Sequence, residues 1–453
     1  MGTDESQCGV LNESLCKFRY NDHQIPDQWT IHLVLSGGCG LKILMVISYF
    51  IPEIGSAAHI YHDLAKGFIA RGHEVSVITS YPRKYNLSEE DANKVFPLEE
   101  KIDGITIYRV ENKVDRDNIF SRGLEHFLLP GKFLKVFKRT KQDFDVCLIY
   151  IPPLPLYKFA SKIKKIAGIP SVLNFQDFHP QELTDVGVLK NPIIIKIMER
   201  MEREAYSKAD HCVALTPGGV DYIIERGGNP QKVSHIYNAV SDEHISDCAA
   251  DFKEKQSIQD CFLVTYAGIL SPFQGIDTIL DAAKLINNPK IIFYIIGDGI
   301  IKNKINERII SEKISNVVLL PLQPRDEYYN IICSSDVSII SLDERMKAPC
   351  FPGKAINLLM ANVPIIAIVP ECETRKIIGS SRSGVIVNPY DIGKLASSII
   401  ELTNDLTAIE SMKHNSEIFF QNNFNIDSCI IRYEIIFYSL HKETNINCIG
   451  ESL

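Results

Sequence analysis

From Leu41 onward, short continuous runs of branched aliphatic residues alternate with longer stretches whose apolar positions recur every three to four residues. Strands buried on both faces by helices read this way, so the pattern predicts βαβ units around a parallel sheet. Leu41–Ser48 reads as the first buried strand. A helix is expected over Ala57–Ala70, with Ile60, Leu64 and Phe68 on one face and Gly72 as its stop, and Glu74–Thr79 as the second strand. Further strands are predicted at Ile105–Val110, Val146–Tyr150, Ser171–Phe175 and His211–Leu215, with helices over 158–167 and 193–209. One α/β domain over residues 41–245 accounts for them.

Residues 241–260 are polar and without apolar period, as expected of a linker. The alternation then restarts with Phe262–Ala267, and strands are predicted at Ile291–Ile296, Val317–Leu320, Val337–Ile340, Ile365–Ile368 and Gly384–Val387. Helices are expected over 276–286, 326–334, 354–361 and 392–402. A second α/β domain over 255–425 follows. The helix-like run 428–440 has no strand left to pair with, which suggests a separate helix over 426–441 and a loose tail over 442–453. Residues 1–40 read as a poorly ordered extension.

Composition changes this picture in three places. The net charge of −8 over 453 residues speaks against a protein that grips a polyanion along its surface, so nucleic acid is not an expected partner. The 12 cysteines are scattered, with no metal-binding spacing and several inside apolar runs, as buried reduced thiols of a cytoplasmic protein would be. No apolar run reaches the roughly 18 residues of a membrane span, and residues 1–40 lack the pattern of a signal peptide. One stretch runs against the overall charge. Lys132, Lys135, Lys138, Arg139 and Lys141 lie among Phe127, Leu128, Leu129, Phe133, Leu134 and Phe137, a basic amphipathic helix that suits either contact with anionic lipid or a solvated surface.

In parallel α/β sheets ligands bind outside the carboxyl ends of the strands, where glycine lets a backbone approach phosphate and a helix start offers unpaired N–H groups. Tyr49–Ser56, with Gly55 and Ser56 opening a helix, fits that description, although the G-x-G-x-x-G spacing of a dinucleotide site is missing. In the second domain Gly268, Gln274 and Gly275 punctuate the loop after the restarting strand. Gly297, Asp298 and Gly299 end the next strand, and Leu320–Pro324, with Gln323, follows the one after. Each is equally at home in ordinary turn chemistry. Lys354 stands at a helix start with Asn357 a turn further on, a cation and an amide placed as a diphosphate and a ribose would require.

The order of these segments, from about Lys42 to Leu440, resembles family 4 retaining glycosyltransferases of the GT-B fold. It resembles most the subgroup that builds surface polysaccharides, N-acetylfucosaminyltransferase-like enzymes included. The resemblance rests on Ser48–Gly55 with Arg71–Val75, on Gln176–Glu182, on Ala209–Thr216 with Tyr237 and Asn238, and on Tyr266–Gly268, Gln274–Gly275, Gly297–Gly299 and Pro352–Lys354. It implies two Rossmann-like domains facing across a cleft, with the last helix crossing back to the first. It implies transfer of a sugar, with retention, from a UDP-linked donor to a glycan or lipid-linked acceptor, with no dedicated metal or cofactor.

On that resemblance Lys354, Gly55, Ser56, Gln274 and Gly275 hold the donor phosphates, and Gly268, Gly297, Asp298, Gln323 and Asn357 contact the nucleotide. Lys354 and Asp177 are the catalytic candidates, Asp177 as an acceptor-side carboxylate, although Asp177, His179 and Glu182 also suit local capping. The family's paired glutamates correspond to Pro349 and Asn357, and its usual loop cations to Ile269 and Gln274. Those departures leave open a degenerate nucleotide-sugar binder or partner subunit, and, further off, a sugar-nucleotide epimerase of the same fold.

Overall fold

The computed structural model describes residues 40–53, 55–83, 87, 91, 93–110, 119–140, 142–238, 245, 248–349 and 351–450. It divides into two compact units. The first holds the chain up to Pro180, Asn191–Ala239 and the chain from Asn425; the second holds Gln181–Lys190 and Val240–Phe424. The extension predicted over 1–40 lies, apart from Gly40, outside the described residues.

In chain order the first part contains β1 (Lys42–Val46), α1 (Ser56–Ala70), β2 (Glu74–Ser80), β3 (Glu99–Ile102), β4 (Ile105–Val110), α2 (Ile119–Thr140), β5 (Val146–Ile151), α3 (Tyr157–Ala167), β6 (Ser171–Phe175), α4 (Gln181–Asp185), α5 (Pro192–Lys208), β7 (His211–Ala214), α6 (Pro217–Glu225) and β8 (Val233–His235). The strands join in the order β3-β4-β2-β1-β5-β6-β7-β8. All neighbours are parallel except β3 and β4. That pair is a hairpin turned by Asp103 and Gly104, both at positive φ, as a two-residue turn of this hand requires.

The second part contains α7 (Phe252–Lys255), β9 (Phe262–Ala267), α8 (Ile276–Leu285), β10 (Ile291–Ile296), α9 (Lys302–Ser311), β11 (Val317–Leu320), α10 (Arg325–Cys333), β12 (Val337–Ser341), α11 (Gly353–Met360), β13 (Ile365–Ile368), α12 (Glu373–Ser381), β14 (Gly384–Val387), α13 (Ile392–Asn404), α14 (Leu406–Asn423) and α15 (Ile426–Gly450). Its strand order, β11-β10-β9-β12-β13-β14, is all parallel and is the doubly wound order with a switch point between β9 and β12. In the first unit the corresponding switch lies between β1 and β5.

Although α15 follows the second unit in sequence, it completes the core of the first. Tyr433 and Phe437 of α15 join Tyr61, Leu64 and Phe68 of α1 and the inward side chains of β1 and β5 in one buried cluster. The rings of Phe68 and Phe437 stand 5.5 Å apart. A polar lock fixes the helix there. Buried Glu434 accepts hydrogen bonds from Arg71 Nε at 2.6 Å and His73 Nε2 at 2.9 Å. The Leu41 amide donates to His73 Nδ1 at 3.0 Å, which puts the His73 proton on Nε2, facing the carboxylate. The Arg71–Val75 motif thus ties the start of β1 to the last helix.

Several expectations need revision. Periodicity does not predict strands β3 and β8 or helices α4, α6, α9, α12 and α14, and α15 continues to Gly450, where a tail was expected from 442. The linker expected over 241–260 contains α7, whose buried Phe252 packs its ring 5.1 Å from that of Tyr294. The apolar stripe of α2 is not free for lipid. Leu129, Phe133 and Phe137 are buried, with Phe133 and Phe137 meeting Phe159 of α3. Lys141 lies outside the described residues.

Candidate functional site

The switch point of the second sheet places the loops after β9 and β12 side by side, although some 70 residues separate them in sequence. Each loop contributes one side chain to a single contact. Lys354, the second residue of α11, donates from Nζ to Gln274 Oε1 at 2.7 Å and to Tyr266 Oη at 3.3 Å. Tyr266 Oη in turn donates to Gln274 Oε1 at 3.1 Å, and the ammonium stands 4.5 Å from the Tyr266 ring centroid. No carboxylate among the described residues takes part in this group. Desolvation therefore goes uncompensated and pushes the Lys354 ammonium down to about 7. Burial likewise raises the Tyr266 phenol, keeping it a neutral donor. A lysine so placed can take a proton when an anion arrives.

The glycines around this group are fixed by close approach of backbones. A Cβ at Gly297 would stand 1.9 Å from the Gly268 carbonyl oxygen, and one at Gly299 2.2 Å from that of Leu270. Gly268 N donates to Ile296 O at 2.9 Å and Leu270 N to Asp298 O at 2.9 Å, so the loops after β9 and β10 run on as a paired ribbon past the sheet. Gly275 adopts φ +55, and a Cβ there would lie 2.7 Å from Ser341 Oγ at the end of β12. These loops are thus held in one arrangement around Lys354.

The remaining candidates of this unit stand outside the Lys354 group. Asn357 Nδ2 lies 3.5 Å from the Tyr328 hydroxyl. Gln323 is turned to its own loop, donating to Pro321 O at 2.9 Å. Exposed Asp298 pairs with Lys302 at 2.7 Å and accepts from Gly299 N, which together hold its carboxyl below the usual range. Ile269 is 72% exposed beside the group, an apolar side chain open to solvent.

Two residues that the sequence reading did not select support the site. Tyr266 was quoted only as part of a motif; a hydroxyl-bearing aromatic near the carboxyl end of the strand Phe262–Ala267 was the available signal. Asp185 gave none. It sits at the end of α4, a segment that leaves the first unit to join the second, and Oδ2 accepts from the amides of Lys347 at 2.8 Å and Ala348 at 2.9 Å. That pins the loop leading to α11.

In the first unit Gly55 is exposed and precedes α1 with extended backbone, and a Cβ there would meet nothing within 4 Å. Ser56 begins α1; its side chain lies outside the described residues. Asp177 follows β6 and lines a small pocket with Ile151, Pro152, Leu154, Phe175, His179 and Tyr206. Burial raises the Asp177 carboxyl and lowers the His179 imidazole, while their mutual attraction works against both shifts. Next to it, Gln176 and Asn238 exchange amide hydrogen bonds at 2.9 and 2.7 Å.

Two doubly wound units in one chain, each with a switch point in its sheet, are the architecture of the GT-B fold. Comparison with known proteins gives the family. Residues 55–239 match the Glycosyl transferase 4-like domain and residues 249–418 match Glycosyl transferases group 1; the chain belongs to these glycosyltransferases. The Pseudomonas aeruginosa protein named "Probable glycosyltransferase WbjE" is 25% identical over 302 residues, 65% of this chain and 75% of that one. The UDP-Gal:alpha-D-GlcNAc-diphosphoundecaprenol alpha-1,3-galactosyltransferase of Escherichia coli is 26% identical over 209 residues, 44% of this chain and 52% of that enzyme. Among solved structures, Anabaena Alr3699/HepE in complex with UDP matches with a TM-score of 0.64 at 16% identity, over 91% of this chain and all 100% of that one, a likeness of fold.

Proposed function

We propose that this glycosyltransferase takes its sugar from a UDP-linked donor and passes it, with retention, to a glycan or lipid-linked acceptor. The observation that carries the reading is the Lys354 ammonium, held by Gln274 and Tyr266 at the switch point with no carboxylate paired to it among the described residues. A diphosphate is the ligand that suits it. In the transfer the bond from the sugar C1 to the diphosphate oxygen breaks and a bond from the acceptor oxygen to C1 forms. The acceptor proton passes to the departing diphosphate on the same face. Lys354 stabilises the charge that develops on that leaving group, which supplies the electrostatic role without a metal. Asp177, raised by its burial, serves as the acceptor-side carboxylate. The UDP bound by the Anabaena protein and the diphosphoundecaprenol acceptor of the E. coli relative support the two substrate classes.

The test is calorimetric titration of the full chain with UDP, GDP, ADP and dTDP. UDP binding is expected to be selective, and Lys354→Met to weaken it by roughly a hundredfold, as loss of a charge-assisted contact to phosphate would. Because the substitution also removes a desolvated charge, thermal stability of the unliganded protein is expected to hold or rise. Equal UDP affinity in the Lys354→Met protein would remove the donor site from this position.

A further inference from the structure

Cys248 precedes α7 and Cys333 ends α10, and these two thiols, far apart in sequence, meet in the second unit within hydrogen-bonding contact. The chain beside them is laced together by bonds that do not involve sulfur. The Asp251 amide donates to Asn330 Oδ1 at 3.0 Å, and Asn330 Nδ2 donates back to Asp251 Oδ1 at 2.9 Å. One residue further on, the Phe252 amide donates to Ser334 Oγ at 3.1 Å, and Lys253 pairs with Asp336. The segment that begins at Cys248 is therefore fastened along the end of α10, and the meeting of the thiols belongs to the packing of the unit.

Access separates this pair from most of the other thiols. Cys147, Cys212, Cys372 and Cys429 are buried and closed to an oxidant, whereas Cys248 and Cys333 are both partly exposed. Within the pair the roles differ. Burial raises the Cys333 thiol, and its hydrogen bond to Cys248 raises it further, so Cys333 keeps its proton and donates it to the Cys248 sulfur. Cys248 is then the sulfur that ionises first. We propose that Cys248 and Cys333 form a reversible dithiol–disulfide pair, oxidised by small disulfides such as glutathione disulfide. The Cys248 thiolate attacks one sulfur of glutathione disulfide, forming a mixed disulfide and expelling one glutathione thiolate. Cys333 passes its proton to that thiolate and attacks Cys248 Sγ, which releases the second glutathione. Two protein thiols are oxidised and one glutathione disulfide is reduced to two thiols. The bridge closes a loop that holds β9, β10 and β11 with Tyr266 and Gln274, and leaves Lys354 outside it. A link of that span restricts the unfolded chain most, so the oxidised protein is the more heat-resistant form. The inference stands on thiols of the second unit and does not depend on the donor or the acceptor.

Incubation of the native full chain with glutathione disulfide, then alkylation of the remaining thiols and peptide mapping by mass spectrometry, tests it. A peptide pair joined through Cys248 and Cys333 is expected, lost on adding dithiothreitol, with a denaturation midpoint raised by roughly 5 °C or more in the oxidised protein. Cys333→Ser is expected to stop at a glutathione adduct on Cys248 and to show no such rise. Cys248→Ser should leave Cys333 unmodified over the same time. Recovery of both cysteines as alkylated thiols from the treated wild-type chain would overturn the proposal. So would a wild-type chain that halts at the glutathione adduct, or one that bridges either cysteine to Cys261 instead.

Discussion

The two switch-point loops start from the same local pattern, a buried strand followed by small residues and a helix, and end in opposite physical conditions. In the second unit the glycines are required by the fold: Cβ atoms at Gly297 and Gly299 would run into backbone carbonyls, and one at Gly275 into Ser341. In the first unit Gly55 sits in open space, in a backbone conformation that any residue adopts. A glycine the fold requires is explained by packing, and needs no ligand to account for it. A glycine the fold does not require leaves its space available, so Gly55 is the better candidate for approach to a bound group.

The largest effect expected from that contrast is on stability. Gly297→Ala should destabilise the protein by about 3 kcal/mol or more, since the obstacle is backbone and the φ is positive, read as a lower denaturation midpoint. Next is the anchor of the same loops. Asp185→Asn weakens two charge-assisted hydrogen bonds to Lys347 and Ala348, and should cost about 1–2 kcal/mol and several-fold in nucleotide affinity. Unchanged affinity would show that the loop before α11 holds its place without that carboxylate.

The pH dependence comes third. Below pH 7 Lys354 is already cationic; above it, binding of a diphosphate must draw a proton, so affinity should fall by up to about tenfold per pH unit. Its contribution to stability has the other sense. Between about 7 and the 10.5 of a free lysine only the unfolded chain holds the proton, so stability of the unliganded protein rises across that window. The smallest effect is Gly55→Ala. A stability change within about 0.5 kcal/mol, together with reduced transfer, would sharpen the comparison between the loops. A Gly55→Ala protein with normal transfer would remove that loop from the site.

Most of the fold was legible because its strands are buried on both faces and therefore read as unbroken apolar runs, as β5 and β10 do. Strand β3, Glu-Glu-Lys-Ile, carries no such run; it is an edge strand held by its hairpin partner. The stripe on α2 reads in sequence as a face for lipid or solvent, whereas its Leu129, Phe133 and Phe137 are buried, the two phenylalanines against Phe159 of α3; periodicity marks a face as apolar without stating what covers it. At the site, Lys354 and Gln274 were each selected from local context. Their contact was not legible, since only the doubly wound strand order makes neighbours of positions 80 residues apart. Asp185 was invisible for a stronger reason: its role depends on a ten-residue excursion of the chain into the other unit.

The position of α15 bears on how the chain comes to be folded at all. Synthesis proceeds from the amino end, and residues up to Ala239 emerge with one side of α1 and β1 still lacking its cover. The second unit is complete once Phe424 is made, and so can close first, while the first must wait for Tyr433, Glu434 and Phe437. During that interval Phe68 and its neighbours are exposed to water and to other nascent chains, which is when a holding chaperone would matter most.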